Sequence, residues 1–248
     1  MEKRKRGLVF KKTYMGGLGM RLHDKIYLKS NLYKKPKENF KFFQKILNKK
    51  LYRKKKYDVI DIGCANGELL YFLKKNNKNF NLTGVDIRSD LIKKAKKNLP
   101  KDINLKKMDF NSKIKSFKKF DIIICSGVIS IFDDLKVFFN NVNKIKKKNT
   151  KFYFFGGYND YPYDIKMRYV DLNMKKKIFQ TGWNIWSIKT MKKHFGRKKI
   201  KKHYFNIGFD LKKNKDDLIR SWTIKVGKKR YSTNGLMFIQ NQMWLEVF

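Results

Sequence analysis

Residues 58–68 read DVIDIGCANGE and decide the fold. A run of apolar residues ends at Ile62, glycines follow at Gly63 and Gly67, and a helix-forming segment begins directly afterwards. This order predicts a buried strand, a tight turn and a helix whose N-terminus faces the turn. Because glycine lacks Cβ, such a turn lets the backbone approach a ligand closely, and the helix N-terminus favours a carboxylate or phosphate. The segment therefore predicts a ligand-binding turn.

Segments with strand character alternate with segments of helical periodicity on both sides of this turn. The predicted helices are residues 36–52, 67–75, 89–99, 133–145 and 187–195. The predicted strands are residues 57–62, 80–85, 103–105, 120–125, 151–155, 200–209 and 236–247. Short apolar runs that alternate with amphipathic helices are typical of βαβ units. The sequence therefore predicts an α/β protein built on a parallel sheet.

The length of 248 residues favours one domain with insertions, since domains commonly contain about 100–200 residues. We divide the chain 1–248 into a basic N-terminal arm (1–35), a ligand-binding core (57–155) and two insertions (156–186 and 210–234). Loops at the carboxyl edge of such a sheet commonly carry binding groups. Both insertions are therefore expected to lie over the functional site.

The charge of the chain is strongly positive, with 62 Lys and Arg against 20 Asp and Glu and a formal net charge of +42. A field of this sign attracts nucleic acid, anionic membranes and acidic glycans. An A/T-rich genome offers a second explanation, because only nine of the 62 basic residues are Arg and only two residues of the chain are Ala. Both explanations stay open.

The cysteine content predicts neither a disulfide framework nor a metal site. Cys64 and Cys125 each lie in an apolar segment, where a free cysteine behaves as a small hydrophobe, and no Cys/His spacing suits a metal. The charged N-terminus is not followed by a signal-peptide apolar run, and no segment approaches the roughly 20 apolar residues of a membrane span. We therefore expect a cytoplasmic protein.

The spacing of glycines in the turn separates the classes of nucleotide-binding site. A dinucleotide fold requires G-x-G-x-x-G; counted from Gly63, the second glycine position is Ala65 and the third is Glu68. A phosphate-binding G-x-x-x-x-G-K-[ST] loop is also absent from the sequence. The turn thus fits neither of these two motifs.

The turn does resemble motif I of class I S-adenosylmethionine-dependent methyltransferases, an acidic residue followed by x-G-x-G-x-G. Here the motif reads Asp61-Ile-Gly63-Cys-Ala65-Asn-Gly67, with Ala65 in place of the middle glycine. The resemblance implies a three-layer αβα Rossmann-like fold whose seven-stranded, mostly parallel sheet has an antiparallel last strand. It also implies that the turn, comprising Asp61, Gly63, Cys64, Ala65 and Gly67, holds the methionine portion of S-adenosylmethionine.

Three later strand ends extend the resemblance. Asp86 ends the next strand and resembles the family's ribose ligand, a role that suits a carboxylate because it accepts two hydrogen bonds from a vicinal diol. The implied adenine contacts are Ile87, Met108, Asp109 and Phe110. Ser126 ends the fourth strand, which in the family faces the transferable methyl group. The match covers about residues 57–155.

Residues near the acceptor are less clearly marked. The fourth strand end, CSGV at 125–128, lacks the prolines that amino-methylating nucleic-acid enzymes carry there, and Cys125 is better explained by packing than by catalysis. Candidate general bases are Asp164 and His23, whereas His194 and His203 are expected to be structural or surface residues. The candidate acceptor-binding residues are Tyr158, Arg168, Trp186 and Arg220.

We therefore expect an enzyme that methylates an O or N atom of a small-molecule or glycan-like acceptor, which the positive field favours as an anion. The alternatives are an RNA methyltransferase that uses the basic surface and a cofactor-binding scaffold without catalysis. Methyl transfer from a sulfonium requires positioning and often a base, so no covalent nucleophile or metal is expected.

Overall fold

A computed structural model describes residues 26–52, 55–115, 117–172 and 179–248. In chain order the helices are α1 (Ile26–Lys29), α2 (Glu38–Asn48), α3 (Glu68–Asn76), α4 (Ser89–Asn98), α5 (Lys136–Lys144) and α6 (Ile188–Phe195). The strands up to the first insertion are β1 (Tyr57–Ile62), β2 (Phe80–Asp86), β3 (Asn104–Lys107), β4 (Phe120–Ser126) and β5 (Lys146–Asn159). Those that follow are β6 (Arg168–Val170), β7 (Phe179–Thr181), β8 (Trp186–Ser187), β9 (Ile200–Tyr204), β10 (Trp222–Val226), β11 (Lys229–Thr233) and β12 (Gln242–Val247).

The central sheet has the strand order β3-β2-β1-β4-β5-β12-β9. Strands β1 to β5 pair in parallel, and β12 runs antiparallel to both β5 and β9. The predicted α/β fold with an antiparallel last strand is therefore confirmed. One detail differs, because the short β8 pairs in parallel with the end of β5 and adds an eighth strand. The sequence had placed Trp186 in an insertion and Ser187 at the start of a helix.

Helices cover both faces of the sheet, which explains why its inner strands are apolar on both sides. In β1, Ile60 and Ile62 join the hydrophobic core on one face, and Val59 joins the core on the other face. The second core includes Phe43 of α2, whose ring stacks on Trp244 of β12 with centroids 4.0 Å apart. Two cores separated by one sheet make the three-layer αβα arrangement that the sequence predicts.

The two predicted insertions contain short strands of their own. Strands β6 and β7 pair antiparallel in the first insertion, and β10 and β11 form an antiparallel pair in the second. The strand predicted for residues 200–209 ends earlier, at Tyr204, and the strand predicted for 236–247 begins later, at Gln242. No helix in the described part of the chain combines the length and the apolar character that a membrane crossing requires.

Candidate functional site

The turn between β1 and α3 has the backbone that its glycines suggest. Gly63 and Gly67 have φ angles of +76° and +82°, and Ala65 lies at +48°. The amides of Gly63 and Cys64 both donate to the carbonyl of Val85, at 2.8 and 3.0 Å. The turn is therefore fastened to the end of β2, the neighbouring strand in the sheet.

Gly63 also allows close packing against the loop that follows β4. A Cβ at this position would lie 2.2 Å from Cγ2 of Val128, closer than real Cβ contacts come. Gly67 allows close packing on the opposite side of the turn, since a Cβ at this position would lie 2.8 Å from Cδ2 of Leu99, which follows α4. Of the two glycines, only Gly63 lines the cleft described below. Gly67 shapes the turn from behind.

Substituting Gly63 by Ala is expected to destabilise the protein and to disrupt the turn. The positive φ costs roughly 1–2 kcal/mol for a residue with Cβ, and the contact with Val128 adds to this cost. The matched control is Gly196→Ala, because Gly196 also has a positive φ, of +59°, but has no atom within 4 Å of its Cβ position. Thermal unfolding measures the stability of both variants. An equal loss of stability in the two would contradict a destabilising contact between a Cβ added at Gly63 and Val128, since Gly196 has no such contact.

A cleft of about 1980 Å³ follows the carboxyl edge of the sheet. Its walls come from the ends of β1, β2 and β4, from the segment around α1 and α2, and from both insertions. Ten of the eleven residues that the resemblance marks for the cofactor line it, namely Asp61, Gly63, Cys64, Ala65, Asp86, Ile87, Met108, Asp109, Phe110 and Ser126. The fold thus gathers four separate strand ends around one space.

Asp61 is a buried carboxyl group at the centre of this edge. Asp61 is only 2% exposed, and its Oδ1 has no hydrogen-bond partner among the described residues. Burial, and then the neighbouring charge of Asp86, raise the pKa of Asp61 to about 7. A buried acceptor without a partner is costly, so the site is built to receive a donor or a positive charge from a ligand.

Asp86 joins the turn to the end of β2. Its Oδ2 accepts a hydrogen bond from the amide of Ala65 at 2.9 Å, and its Oδ1 accepts one from the amide of Arg88 at 2.9 Å. A carboxylate can accept several hydrogen bonds at once, which suits a second role as the ligand of a vicinal diol. Asp86 therefore holds the turn and suits a ribose at the same time.

Asp109 and Met108 form the far end of the cleft, beyond β2. Oδ1 of Asp109 accepts from the amide of Asn111 at 2.8 Å, and Oδ2 accepts from the hydroxyl of Ser112 at 2.6 Å. The amide of Met108 donates to the carbonyl of Asp86 at 2.9 Å. Ile87 is 46% exposed and lines the same end. Apolar side chains beside a carboxylate suit a flat heterocycle that carries an amino group.

These features together fit a nucleoside with a positively charged amino-acid tail. The turn offers a close backbone approach, Asp61 offers an unpartnered acceptor, and Asp86 offers a diol ligand. A family model described as a methyltransferase domain matches residues 53–210, more than half of the chain. The chain belongs to the class I S-adenosylmethionine-dependent methyltransferases. S-adenosylmethionine is thus its cofactor and methyl donor.

Known proteins resemble the methyltransferase over different lengths. Protein 235L of Invertebrate iridescent virus 6, which bears a methyltransferase name, is 30% identical over 95 residues, or 38% of this chain and 35% of that protein. The match thus spans about a third of that relative's length. The PH0226 protein of Pyrococcus horikoshii OT3 has a TM-score of 0.55 over 93% of this chain and 100% of its own, at 17% identity. A S-adenosylmethionine-dependent methyltransferase of Methanosarcina mazei has a TM-score of 0.53 over 82% and 96%, at 15% identity. At such low identity, the structural similarity shows a common fold and nothing further.

Of the four predicted acceptor-binding residues, only Arg220 lines the cleft. Tyr158 and Trp186 are buried in the hydrophobic core, where Nε1 of Trp186 donates to the carbonyl of Ile129 at 3.1 Å. Arg168 pairs with Asp133 through Nη2 and Oδ2 at 2.8 Å. The prediction is therefore corrected for Tyr158, Trp186 and Arg168, whose side chains make structural contacts away from the cleft.

The placement of Asp164 does not fit a general base. Its Oδ1 accepts from the amide of Ser187 and its Oδ2 from the hydroxyl of Thr190, both at 2.7 Å, so it is held at the N-terminus of α6, and it does not line the cleft. Partial burial opposes ionisation, but these hydrogen bonds outweigh it and hold the pKa of Asp164 below its usual range. His23, the other candidate base, lies outside the described residues and stays a prediction.

The remaining cysteine and histidine predictions concern packing. Cys125 is fully buried in the core, and burial raises the pKa of its thiol well above the usual range, which disfavours a nucleophile. His194 stacks on Phe139 with ring centroids 4.4 Å apart, and His203 contacts Glu246 at 3.0 Å. None of these three residues lines the cleft.

Sequence reasoning missed Glu68, which fastens the segment before α2 to the cofactor turn. Its Oε1 accepts from the hydroxyl of Ser30 at 2.5 Å and from the amide of Leu32 at 3.0 Å. The hydroxyl of Tyr33 donates to the carbonyl of Asn66 at 2.7 Å. A glutamate in the first turn of a helix is common, so no local signal distinguishes Glu68 from a solvated residue.

Proposed function

We propose that the methyltransferase modifies an O or N atom of a small-molecule or glycan-like, anionic acceptor bound in the cleft beside the cofactor. The observation that carries the proposal is the size of the cleft, about 1980 Å³. Sites for one small ligand commonly measure about 300–1,000 Å³. Apart from Ser126 at the end of β4, the cofactor residues lie at the ends of β1, β2 and β3, and the rest of the cleft has room for a second molecule.

The acceptor side of the cleft lies under the second insertion. It is lined by aromatic and polar side chains, among them Phe155, Tyr204, Phe205, Arg220 and Gln242. Aromatic faces combined with a few polar groups are typical of sites for sugars and other ring-bearing molecules. This lining supports an acceptor that bears a ring.

Arg220 supports the anionic character of the acceptor. Arg88, Arg168 and Arg230 each pair with an aspartate, whereas no carboxylate within the described ranges pairs with Arg220. Its side chain lines the cleft, and a guanidinium suits a carboxylate or phosphate because of its two parallel donors. The excess positive charge of the chain would attract such an acceptor at long range.

Substituting Arg220 by Gln is expected to raise the KM for the acceptor by about tenfold or more, because a hydrogen bond to a charged group contributes roughly 1.5–3 kcal/mol. Cofactor affinity should not change. The matched control is Arg230→Gln, which removes the same charge from a half-buried arginine outside the cleft. Equal KM values for the two variants would argue against an anionic group at Arg220.

The experiment that tests the proposal is transfer of a labelled methyl group from S-adenosylmethionine into an extract of the source cells. The product is then sorted into RNA, protein, glycan and small-molecule fractions. Label in the glycan or small-molecule fraction supports the proposal. Label only in RNA, with binding that weakens steeply as salt rises, would favour the alternative of an RNA methyltransferase that uses the +42 charge. Cofactor binding without any labelled product would favour the scaffold alternative.

We further propose that the reaction takes place in the cytoplasm. Cys64 and Cys125 are free and buried, which suits a compartment that keeps thiols reduced.

A further inference from the structure

Trp183 has an unusual backbone conformation for a large side chain. Its φ angle is +63°, in the left-handed region that favours glycine. Bulky residues persist in this region only where the surrounding structure holds them, and such residues concentrate at functional sites. Trp183 lies in the first insertion and lines the cleft, so the strain occurs at the site itself.

The residues next to Trp183 are fastened to the loop after β4. The amide of Asn184 donates to the carbonyl of Ser130 at 2.9 Å, and its Nδ2 donates to the carbonyl of Phe132 at 2.7 Å. On the other side, the hydroxyl of Thr181 donates to Oδ1 of Asp133 at 2.7 Å. Asn184 is 1% exposed. These bonds hold the backbone on both sides of Trp183.

These contacts place Trp183 on the acceptor side of the cleft. Most of the cofactor residues lie at the ends of β1, β2 and β3, and β4, which ends at Ser126, is the next strand on the other side of β1. The loop after β4 lines the cleft through Ser130 and Phe132, beside Trp183. A molecule bound between this loop and the second insertion would therefore meet the indole of Trp183.

Trp183 differs from Trp186, the other tryptophan of the first insertion, in its exposure and in its place at the cleft. Trp186 is 4% exposed and its indole donates to a backbone carbonyl within the core. Trp183 is half-buried and borders the cleft. A residue whose only task was to turn the chain would be favoured as glycine, since glycine adopts a positive φ without strain.

We propose that Trp183 is a specificity-determining residue whose indole stacks on a flat or ring-shaped face of the acceptor. Asn184 and Asp133 act through it as positioning residues. The substrate class is therefore a ring-bearing molecule, such as a sugar or a heterocycle. This inference rests on the proposed function, and it adds a stacking contact to the anionic contact at Arg220.

The test compares Trp183→Gly, Trp183→Phe and the wild-type protein. Glycine removes the indole and also relieves the backbone strain, so stability should be retained, whereas phenylalanine keeps a ring for stacking. The control is Tyr163→Ala, which removes an aromatic ring of the same insertion that is 69% exposed and does not line the cleft. Labelled methyl transfer is measured against a dilution series of the glycan and small-molecule fraction. Calorimetry with S-adenosylhomocysteine and thermal unfolding are measured in parallel.

We expect Trp183→Gly to raise the apparent KM for the fraction by about tenfold or more, in line with stacking energies. Affinity for S-adenosylhomocysteine and the unfolding temperature should stay close to those of the wild type. The KM of Trp183→Phe should lie between those of Trp183→Gly and the wild type, and the KM of Tyr163→Ala should match that of the wild type. An unchanged KM in Trp183→Gly, or a loss that follows the unfolded fraction, would overturn the role of Trp183. If the wild type labelled nothing in this fraction, the proposed function itself would fail.

Discussion

Substituting Asp86 by Ala is expected to weaken cofactor binding by at least about 2 kcal/mol, roughly thirtyfold. Two losses combine in this variant. The ribose would lose its carboxylate ligand, and the amides of Ala65 and Arg88 would lose the acceptor that ties the turn to β2. Calorimetric titration with S-adenosylhomocysteine measures the affinity directly.

The control for this variant is Asp90→Ala. Asp90 lies four residues further along the chain and pairs with Arg88, but it is exposed and does not line the cleft. Its loss should leave cofactor affinity nearly unchanged, because exposed ion pairs contribute about 0–1 kcal/mol. If Asp86→Ala bound the cofactor product as tightly as Asp90→Ala, the ribose would have to lie elsewhere.

Substituting Asp61 by Asn is expected to have opposite effects on stability and on binding. In the folded protein, burial and the charge of Asp86 raise the pKa of Asp61 to about 7, above the value of an unfolded chain. The folded state thus holds a proton that the unfolded state releases, and stability falls as the pH rises from the unfolded pKa to about 7. Asn carries no such charge, so the ligand-free variant should be more stable than the wild type above pH 7.

Cofactor binding should respond in the reverse direction. S-adenosylmethionine carries a positive sulfonium and an ammonium group, so it favours the ionised form of Asp61. Wild-type affinity should therefore rise as the pH increases through about 7, where Asp61 loses its proton. Asp61→Asn should bind about tenfold more weakly at pH 8 and lack this dependence on pH.

Thermal unfolding and calorimetry between pH 5 and pH 8 check both effects, with Asp102→Asn as the control. Asp102 pairs with Lys74 at an exposed site and does not line the cleft. Its substitution should follow the wild-type profiles. If the stability gained by Asp61→Asn did not increase between pH 5 and pH 8, ionisation of the buried Asp61 carboxyl would not be what destabilises the wild-type protein.

Local patterns in the sequence predicted much of the cofactor edge. The apolar run before Gly63 and the amphipathic segment after Gly67 predicted β1, the turn and α3, because strand and helix periodicity act over a few residues. Asp86 and Asp109 were expected at the same edge, since the carboxyl ends of parallel strands meet there, but their roles were assigned by the resemblance to the methyltransferase family. Resemblance to a family supplied the identity of the ligand.

The acceptor side was predicted much less well. Asp164 was expected to act as a base, but it is bonded to Ser187 and Thr190 at the N-terminus of α6. Trp186 was expected to bind the acceptor, but its indole donates to Ile129 in the core. In each case the hydrogen-bond partners lie on another element of the fold. No spacing rule in the sequence reveals which polar or aromatic residue of an insertion faces the cleft.

Hydrophobic periodicity and the glycine-containing turn, which are local properties of the chain, were enough to predict strands β1 to β5, the helices between them and the edge of the sheet that holds the cofactor. They could not predict that Arg220 and Trp183 line the cleft whereas Arg168 and Trp186 do not. Arg168 and Trp186 are held away from the cleft by residues distant in the chain, Asp133 and Ile129, and such contacts exist only once the insertions have packed against the sheet.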